Sequence, residues 1–415
     1  MGLSFANILT YIFLFASLNF EIFLLITYFE TRGEVEKEKE LVKNISRFPT
    51  VTVIVPCWNE QDTVSKTIYS LLDLNYPKDK LKIMAINDGS TDGTFQVLQE
   101  FKNNPQVEIY SKENGGKHTA LNFALGKATS ELIGCLDADS YVDAEALKNI
   151  VVYFENKEIM AVAPSVKLWK PKNILELFQK VEYGFGIFTR KMFHYMDAIY
   201  ITPGPFSIFR KEVFEKLGGY REAHKTEDIE LALRMQKNHF RIAHAHEAIV
   251  YTVPPNKIRP LLKQRVRWSH GFIRNAFDYR DMFFKKEYGN VGMFILPIAS
   301  ISYASVISVA VISVVNFFKT AHDKYIQYTT VGIHPHLPKM LTDWFYINTQ
   351  LVAVIAVFTF IGSLAMIIVS RKMSEDKFYF GLDLLYYLAL YMVLAPIWMS
   401  KALYNALFKV KASWR

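Results

Sequence analysis

The chain has 415 residues, with 48 Lys and Arg against 40 Asp and Glu and a formal net charge of +8. Hydrophobic residues make up 51% and aromatics 15%, rich for a water-soluble enzyme, and the length allows one large domain or two ordinary ones. The basic balance suits an anionic leaflet and a phosphorylated substrate. No run of basic residues interleaved with aromatics points to nucleic acid, and two cysteines, Cys57 and Cys135, both inside expected strands, argue against disulfides.

Residues 3–29 are nearly continuous apolar sequence, as are 291–318, 344–370 and about 378–399. Each exceeds the roughly 20 residues a helix needs to cross a bilayer. The first is too long for a signal peptide and lacks a basic leader and a small-residue cleavage site. Arg32, Lys37, Lys39, Lys43 and Arg47 follow it and nothing basic precedes it, so the positive-inside rule places the next domain in the cytosol. Arg371 and Lys372 after the third segment agree. The tail KVKASWR does not, because four crossings would put it outside; a re-entrant last segment would reconcile the two.

Within the charged stretch, TVTVIVPCWNE (50–60) reads as a strand ended by Pro56. QDTVSKTIYSLLDL follows with helical apolar spacing. KIMAIND (82–88) is a second strand, and STDGTFQVLQEF a helix with Ser90 or Thr91 as N-cap. VEIY (107–110), GKHTALNFALGKA (116–128) and ELIGCLDAD continue the rhythm. Alternating strands and helices predict an α/β doubly wound, mostly parallel sheet, with ligands at the strands' carboxyl ends, where Asp88 and Asp137 fall. Residues 173–196 carry an apolar stripe with Lys180, Arg190 and Lys191 opposite, predicting an amphipathic helix at the membrane surface. KTEDIELALRMQKNHF (225–240) is a helix opened by Thr226 with acids in its first turn. PNKIRPLLKQRVRWSHGFIRNAF (255–277) is a basic amphipathic helix leading to the second apolar segment.

Three acidic groups stand out: Asp88 in NDGS, Asp137 and Asp139 in DADS, and Glu227 and Asp228 in TED. Singly, each has a plain reading. DGSTDG is a turn, DADS a solvated strand end with Asp139 capping a helix near Asp143, and TED a good helix start. Their order, with Lys117 between them and QRVRW at 264–268 downstream, closely resembles the membrane-bound family 2 glycosyltransferases, such as cellulose, chitin, hyaluronan and poly-N-acetylglucosamine synthases. GPFSIFRKEVFEKLGGY, TEDIELALRMQ and LKQRVRW read in phase with that family, most closely with the poly-N-acetylglucosamine synthases. The resemblance spans about residues 50–290 and the flanking membrane segments. It implies a GT-A-type domain at 50–255, after a transmembrane helix (1–30) and a charged linker (31–49). An interfacial amphipathic region (256–290) and about three transmembrane helices (291–415) would follow, in a multi-pass plasma-membrane protein.

The resemblance also assigns roles. Asp139, ahead of Asp137, would hold Mg²⁺ or Mn²⁺ against the diphosphate of a UDP-sugar, since a hard cation takes one or two carboxylates plus phosphate oxygens. Asp88 would lie against the uridine near Pro56, Asn59 and Glu60. Lys117 would reach the diphosphate, with Gly115 and Gly116 letting the backbone approach. Asp228 is the expected general base, supported by Glu227, and attack opposite the leaving group inverts the anomeric carbon. Gln264, Arg267 and Trp268 fall within one helical turn. Arg267 suits a pyrophosphate, and Trp268, with Gln264 and Thr226, the acceptor sugar. A lone Trp on such a helix would instead anchor at the membrane interface.

His244 and His246 in AHAHE lack a third ligand and read as structural, while His334 and His336 in GIHPH carry no readable role. Glu21, inside the first apolar segment, is expected to face a sugar conduit, although snorkelling to the interface is the plainer reading. The leading expectation is a processive synthase using UDP-N-acetylglucosamine, or less readily UDP-glucose, to extend an oligosaccharide or polysaccharide. The alternative is single-sugar transfer to a lipid, ceramide or polyprenyl phosphate, and the third a membrane protein that has lost its chemistry; the complete acidic set argues against that. Only one membrane segment precedes the domain where many such synthases have two, so an accessory subunit or a homo-oligomer would complete a conduit. The chain also ends without the cyclic-nucleotide-binding domain of bacterial cellulose synthases, which weakens a cellulose assignment.

Overall fold

Helix α1 (Phe5–Leu41) carries the first apolar segment and continues without a break into the charged stretch. It belongs to a computed structural model that describes residues 5–41, 45–332, 351–375 and 381–408. Lys43, His334, His336 and the tail KVKASWR lie outside the described residues.

The first half of the domain follows the expected rhythm: β1 (Val51–Cys57), α2 (Val64–Leu72), β2 (Leu81–Asp88), α3 (Thr94–Gln99), β3 (Val107–Lys112), α4 (Lys117–Leu125) and β4 (Leu132–Cys135). β1 is buried on both faces: Val51, Val53, Val55 and Cys57 join one apolar cluster and Ile54 the other, as side-chain alternation requires. β1 pairs in parallel with β2 and β4, and β2 with β3.

The second half departs from that rhythm. β5 (Ser140–Val142), α5 (Ala146–Val151), β6 (Ile159–Leu168), α6 (Ile174–Tyr195), β7 (Ile208–Arg210), α7 (Lys211–Leu217), α8 (Glu227–Lys237) and β8 (Arg241–Thr252) complete the domain. Among the described residues the sheet order is β3-β2-β1-β4-β7-β6-β8-β5. β7 runs antiparallel to β4 and β6, and β5 antiparallel to β8, while β6 and β8 are parallel. His244 and His246 sit on β8, with the His244 ring fully buried.

Several local expectations are corrected. α3 starts at Thr94 rather than after Ser90 or Thr91, and Asp92 Oδ1 accepts from the Thr94 amide and hydroxyl. α5 begins at Ala146 with Glu145 at its N-cap, so Asp139 caps no helix there. α6 opens with a capping box between Asn173 and Glu176, but its cationic side does not simply face solvent. Lys191 is completely buried, paired with Glu38 of α1 and donating to the His244 carbonyl at 3.1 Å. Tyr153 also donates to Glu38, at 2.6 Å, and Tyr195 at 3.3 Å. Burial alone would raise Glu38; His194, Lys191 and Tyr153 together hold it down to about 2.

α9 (Ile258–Asp278) carries QRVRW. α10 (Leu296–Val331), α11 (Leu351–Glu375) and α12 (Leu382–Leu407) follow. Among the described residues these three regions and α1 are long and apolar enough to cross a membrane. α6 and α9 pack on α12 through Phe178 and Leu261 against Leu394, Ala395, Trp398 and Met399. Arg371 at the end of α11 meets Asp383 at the start of α12 at 2.5 Å. Glu21 is buried against α11, accepting from Ser363 at 2.5 Å.

Candidate active site

Strand ends and helix starts bring the acidic motifs together. β4 stops at Cys135, and Asp137 to Asp139 form the turn into β5, closed by the Ser140 amide donating to the Asp137 carbonyl at 3.0 Å. α4 opens at Lys117, whose Nζ lies 2.5 Å from Asp137 Oδ1 and 3.4 Å from Glu227 Oε1. One lysine thus touches both DADS and TED, motifs some ninety positions apart. Burial opposes its charge, but Asp137 and Glu227 hold the ammonium charged well above its usual range.

Gly204 completes this corner. A Cβ at that position would stand 2.9 Å from Lys117 Nζ and 3.3 Å from Asp137 Oδ2, so the ITPGPF loop presses bare backbone onto the ion pair. Thr202 on the same loop donates to the Asp228 carbonyl at 3.1 Å. The sequence reading did not single out Gly204 as a contact of Lys117.

Asp139 and Asp228 are the two strained carboxyl groups. Burial, then Asp137 and Glu60, pushes Asp139 up to about 6. Burial, then Glu227, pushes Asp228 up to about 6, against the opposing pull of Lys117 and Arg267. Asp228 Oδ1 accepts from the Ile229 amide at 3.0 Å; Oδ2 has no hydrogen bond among the described residues. Asp137 and Asp139 form a two-carboxylate ledge. No group of three or more His, Cys, Asp or Glu among the described residues is set to enclose a metal. The crowded charge at Asp139 fits a hard divalent cation that draws its remaining ligands from a bound diphosphate.

Asp88 is held differently. Its carboxylate, 3% exposed, accepts from Lys112 Nζ at 2.6 Å and from the amides of Gly115 and Gly116 at 3.2 and 2.9 Å. Gly116 has φ +89°, a conformation open to glycine. Asp88 therefore organises the loop that launches Lys117. Asn59, at φ 56°, accepts from the Thr91 amide at 2.8 Å, and the Glu60 amide donates to Thr94 Oγ1 at 2.7 Å. Those contacts tie the loop after β1, next to half-buried Pro56, to the DGSTDG turn.

The QRVRW helix is arranged around a residue the sequence did not single out. Arg265, 2% exposed, grips Glu182 of α6 in bidentate fashion at 3.1 and 2.5 Å. It also donates to Gln264 Oε1 at 2.7 Å and stacks over the Trp268 ring at 4.3 Å. Gln264 and Trp268 are thus linked through Arg265. Arg267 donates to the Lys225 carbonyl at 2.9 Å, on the turn before α8. Thr226 makes no side-chain cap; its hydroxyl donates to the Ala223 carbonyl and accepts from Asn275 of α9. The signal for Arg265 lay in QRVRW itself, but not its partner on α6.

Two surface clefts lie elsewhere. One of about 990 Å³ borders the Ala223–Lys225 turn and is lined by Arg221, His224, Lys225, Glu230 and Arg234; one of about 550 Å³ lies between α4 and α7. Neither is lined by Asp137, Asp139 or Asp228.

Comparisons with known proteins bear on the family and the fold. A poly-beta-1,6-N-acetyl-D-glucosamine synthase of Staphylococcus epidermidis is 32% identical over 241 residues, covering 57% of this chain and 56% of that protein, so the match spans about half of the relative's length. The same-named protein of Staphylococcus aureus (strain MSSA476) is 30% identical over 274 residues, 65% of this chain and 66% of that one. A solved mannosyltransferase from Pyrobaculum calidifontis, in complex with GDP-Man and Mn²⁺, superposes with a TM-score of 0.59 at 18% identity, covering 94% of this chain and 99% of that chain. That likeness shows the fold, a mixed α/β sheet of the GT-A type. The family model "Glycosyltransferase like family 2" matches residues 49–271, which takes in the acidic motifs and the QRVRW helix alike. Covering more than half of the sequence, that match shows that the chain belongs to the glycosyltransferase like family 2.

Proposed function

We propose that the protein is an inverting, metal-dependent polysaccharide synthase that transfers sugar from a UDP-sugar, UDP-N-acetylglucosamine by analogy with the relatives, to a growing β-linked chain. The observation that carries this reading is Lys117, which bridges Asp137 and Glu227 and so joins a diphosphate ledge to the carboxylate next to the candidate base, Asp228. In this reading the donor diphosphate lies on Asp137, Asp139 and Lys117. Mg²⁺ or Mn²⁺ held by Asp139 and Asp137 would neutralise charge growing on the leaving UDP. Lys117 adds a second cation there, and the Gly204 backbone packs against it.

The acceptor hydroxyl oxygen attacks the anomeric carbon from the face opposite the diphosphate. The new C–O bond forms as the bond to UDP breaks, and the hydroxyl proton passes to Asp228 Oδ2. A positioned base of this kind contributes about 10²–10⁴-fold. Burial and Glu227 make Asp228 a stronger base than an ordinary aspartate, and Arg267 steadies the turn that presents it. Trp268, backed by Arg265, offers a flat face to the acceptor.

Four membrane-length helices support a multi-pass membrane protein; in this reading it lies in the plasma membrane, the basic residues after α1 keep the domain in the cytosol, and the product passes through its own helices. Asp228→Asn tests the reading: transfer should be abolished while UDP binding is retained. Loss of UDP binding in that variant would show the role to be misassigned. Sizing the product of the wild type separates a polymer from a singly glycosylated lipid.

A further inference from the structure

Two glycines on α6 stand two residues apart and are used in opposite ways. Gly184 is buried, and a Cβ there would stand 3.1 Å from Ser374 Oγ, so its bare backbone lets α11 approach. Gly186 is half-buried, and a Cβ there would meet only the Arg190 guanidinium, at 3.9 Å. The helix surface at Gly186 thus borders open space. Steps of three and four residues place Tyr183, Gly186 and Arg190 on one face of α6.

Glu182 lies one turn before Gly186 on the same side of α6 and holds Arg265 of the QRVRW helix at 3.1 and 2.5 Å. Burial pulls the Arg190 guanidinium down, and Tyr200, Tyr183 and Asp228 oppose that. This face therefore borders the QRVRW helix, within the field of Asp228. Among the described residues Arg190 makes one long hydrogen bond, from Nη1 to the Pro164 carbonyl at 3.4 Å, and no salt bridge. A guanidinium has five N–H donors, and Nη2, 3.9 Å from where a Gly186 Cβ would stand, has no hydrogen-bond acceptor among the described residues. The Asp228 carboxylate disfavours an anionic occupant, whereas a neutral, oxygen-rich one can satisfy the guanidinium and the carboxylate together.

We propose that the Tyr183–Gly186–Arg190 face of α6 is an acceptor subsite, where the end of the sugar chain lies over Gly186 and Arg190 donates to its ring and hydroxyl oxygens, turning the attacking hydroxyl to Asp228. The proposal rests on the transferase reading above. Gly186 leaves room for a pyranose ring, Tyr183 supplies a flank, and Arg190 sets the register of the chain against the base.

The test uses the full chain purified in detergent, with UDP-N-acetylglucosamine and a defined β-linked N-acetylglucosamine oligosaccharide as acceptor. Arg190→Gln and Gly186→Leu should each raise the acceptor KM about tenfold or more, as expected for a lost charged hydrogen bond or a filled groove. UDP affinity should stay within about twofold of wild type, with Arg190→Lys recovering part of the acceptor affinity. A wild-type acceptor KM in Gly186→Leu overturns the subsite. That variant carries the test by itself should Arg190→Gln lose UDP binding through misfolding. A wild-type enzyme that binds UDP yet glycosylates no sugar acceptor overturns the transferase reading and the subsite with it; unaltered variants of an active enzyme overturn the subsite alone.

Discussion

Replacing Glu227 with Gln probes the acid–base arrangement through a single charge. In the wild type, burial and then the Glu227 carboxylate raise Asp228 from an ordinary 3.8 to about 6. The base acts only when deprotonated, so transfer is present above that value and lost as pH falls through it. A group titrating at about 6 is roughly one-tenth ionised at pH 5, where an ordinary aspartate is more than about nine-tenths ionised. The wild-type kcat/KM should therefore drop about tenfold between neutral pH and pH 5. Glu227→Gln removes one cause of the rise and frees Lys117 to act on Asp228, and both effects move the acid limb to lower pH. Asp139 is also pushed up to about 6, but there a cation competes with the proton. Raising Mg²⁺ should shift the Asp139 limb downward and leave the Asp228 limb in place. The assay is UDP release with acceptor from about pH 5 to pH 8 at two Mg²⁺ concentrations. Superposable wild-type and Glu227→Gln profiles at saturating Mg²⁺ would refute Asp228 as the titrating base.

Three further perturbations follow from the packing. EDTA should stop turnover and Mg²⁺ or Mn²⁺ restore it; full transfer in EDTA would remove the case built on Asp137 and Asp139. Gly271→Ala places a Cβ 2.2 Å from Thr226 Oγ1 and Cγ2, and displacing the lead-in to the base should lower kcat about 10²-fold while UDP affinity is kept. A wild-type kcat there would show that the contact between α9 and Thr226 does not position Asp228. Glu38→Ala strands the fully buried Lys191 and should cost about 3 kcal/mol, read as a lower denaturation midpoint of the solubilised protein. An unchanged midpoint would mean that α1 does not brace the domain through that pair.

The strands β1, β2 and β4 were legible because runs such as TVTVIV must be buried on both faces, and the carboxylates ending them stand out against that apolar background. β7 was not. It has three residues, runs straight into α7, and is defined by partners at Leu132 to Gly134 and at Ala161 and Val162. The same limit hid the partners of charged side chains. Local spacing put Lys191 on a wet helix face, but Glu38, far back along the chain, draws it inside. Thr226 fits an N-cap locally, yet Asn275 claims its hydroxyl. Arg265 was hidden because Glu182, its counter-ion, lies on another helix. Asp88 shows the same limit over a shorter span: its donors, Lys112, Gly115 and Gly116, lie 24 to 28 positions on, and nothing in the pattern says that they fold back onto it.

The unbroken α1 has a mechanical consequence. Its 37 residues reach about 55 Å at the usual helical rise, well beyond the roughly 30 Å of a hydrocarbon core. Its charged end is clasped by Tyr153 and by Lys191, which also holds the backbone of β8. Among the described residues no hinge lies between the membrane-length portion and that clasp, so in the membrane-spanning reading proposed above a change of tilt would arrive at the sheet as a lever stroke.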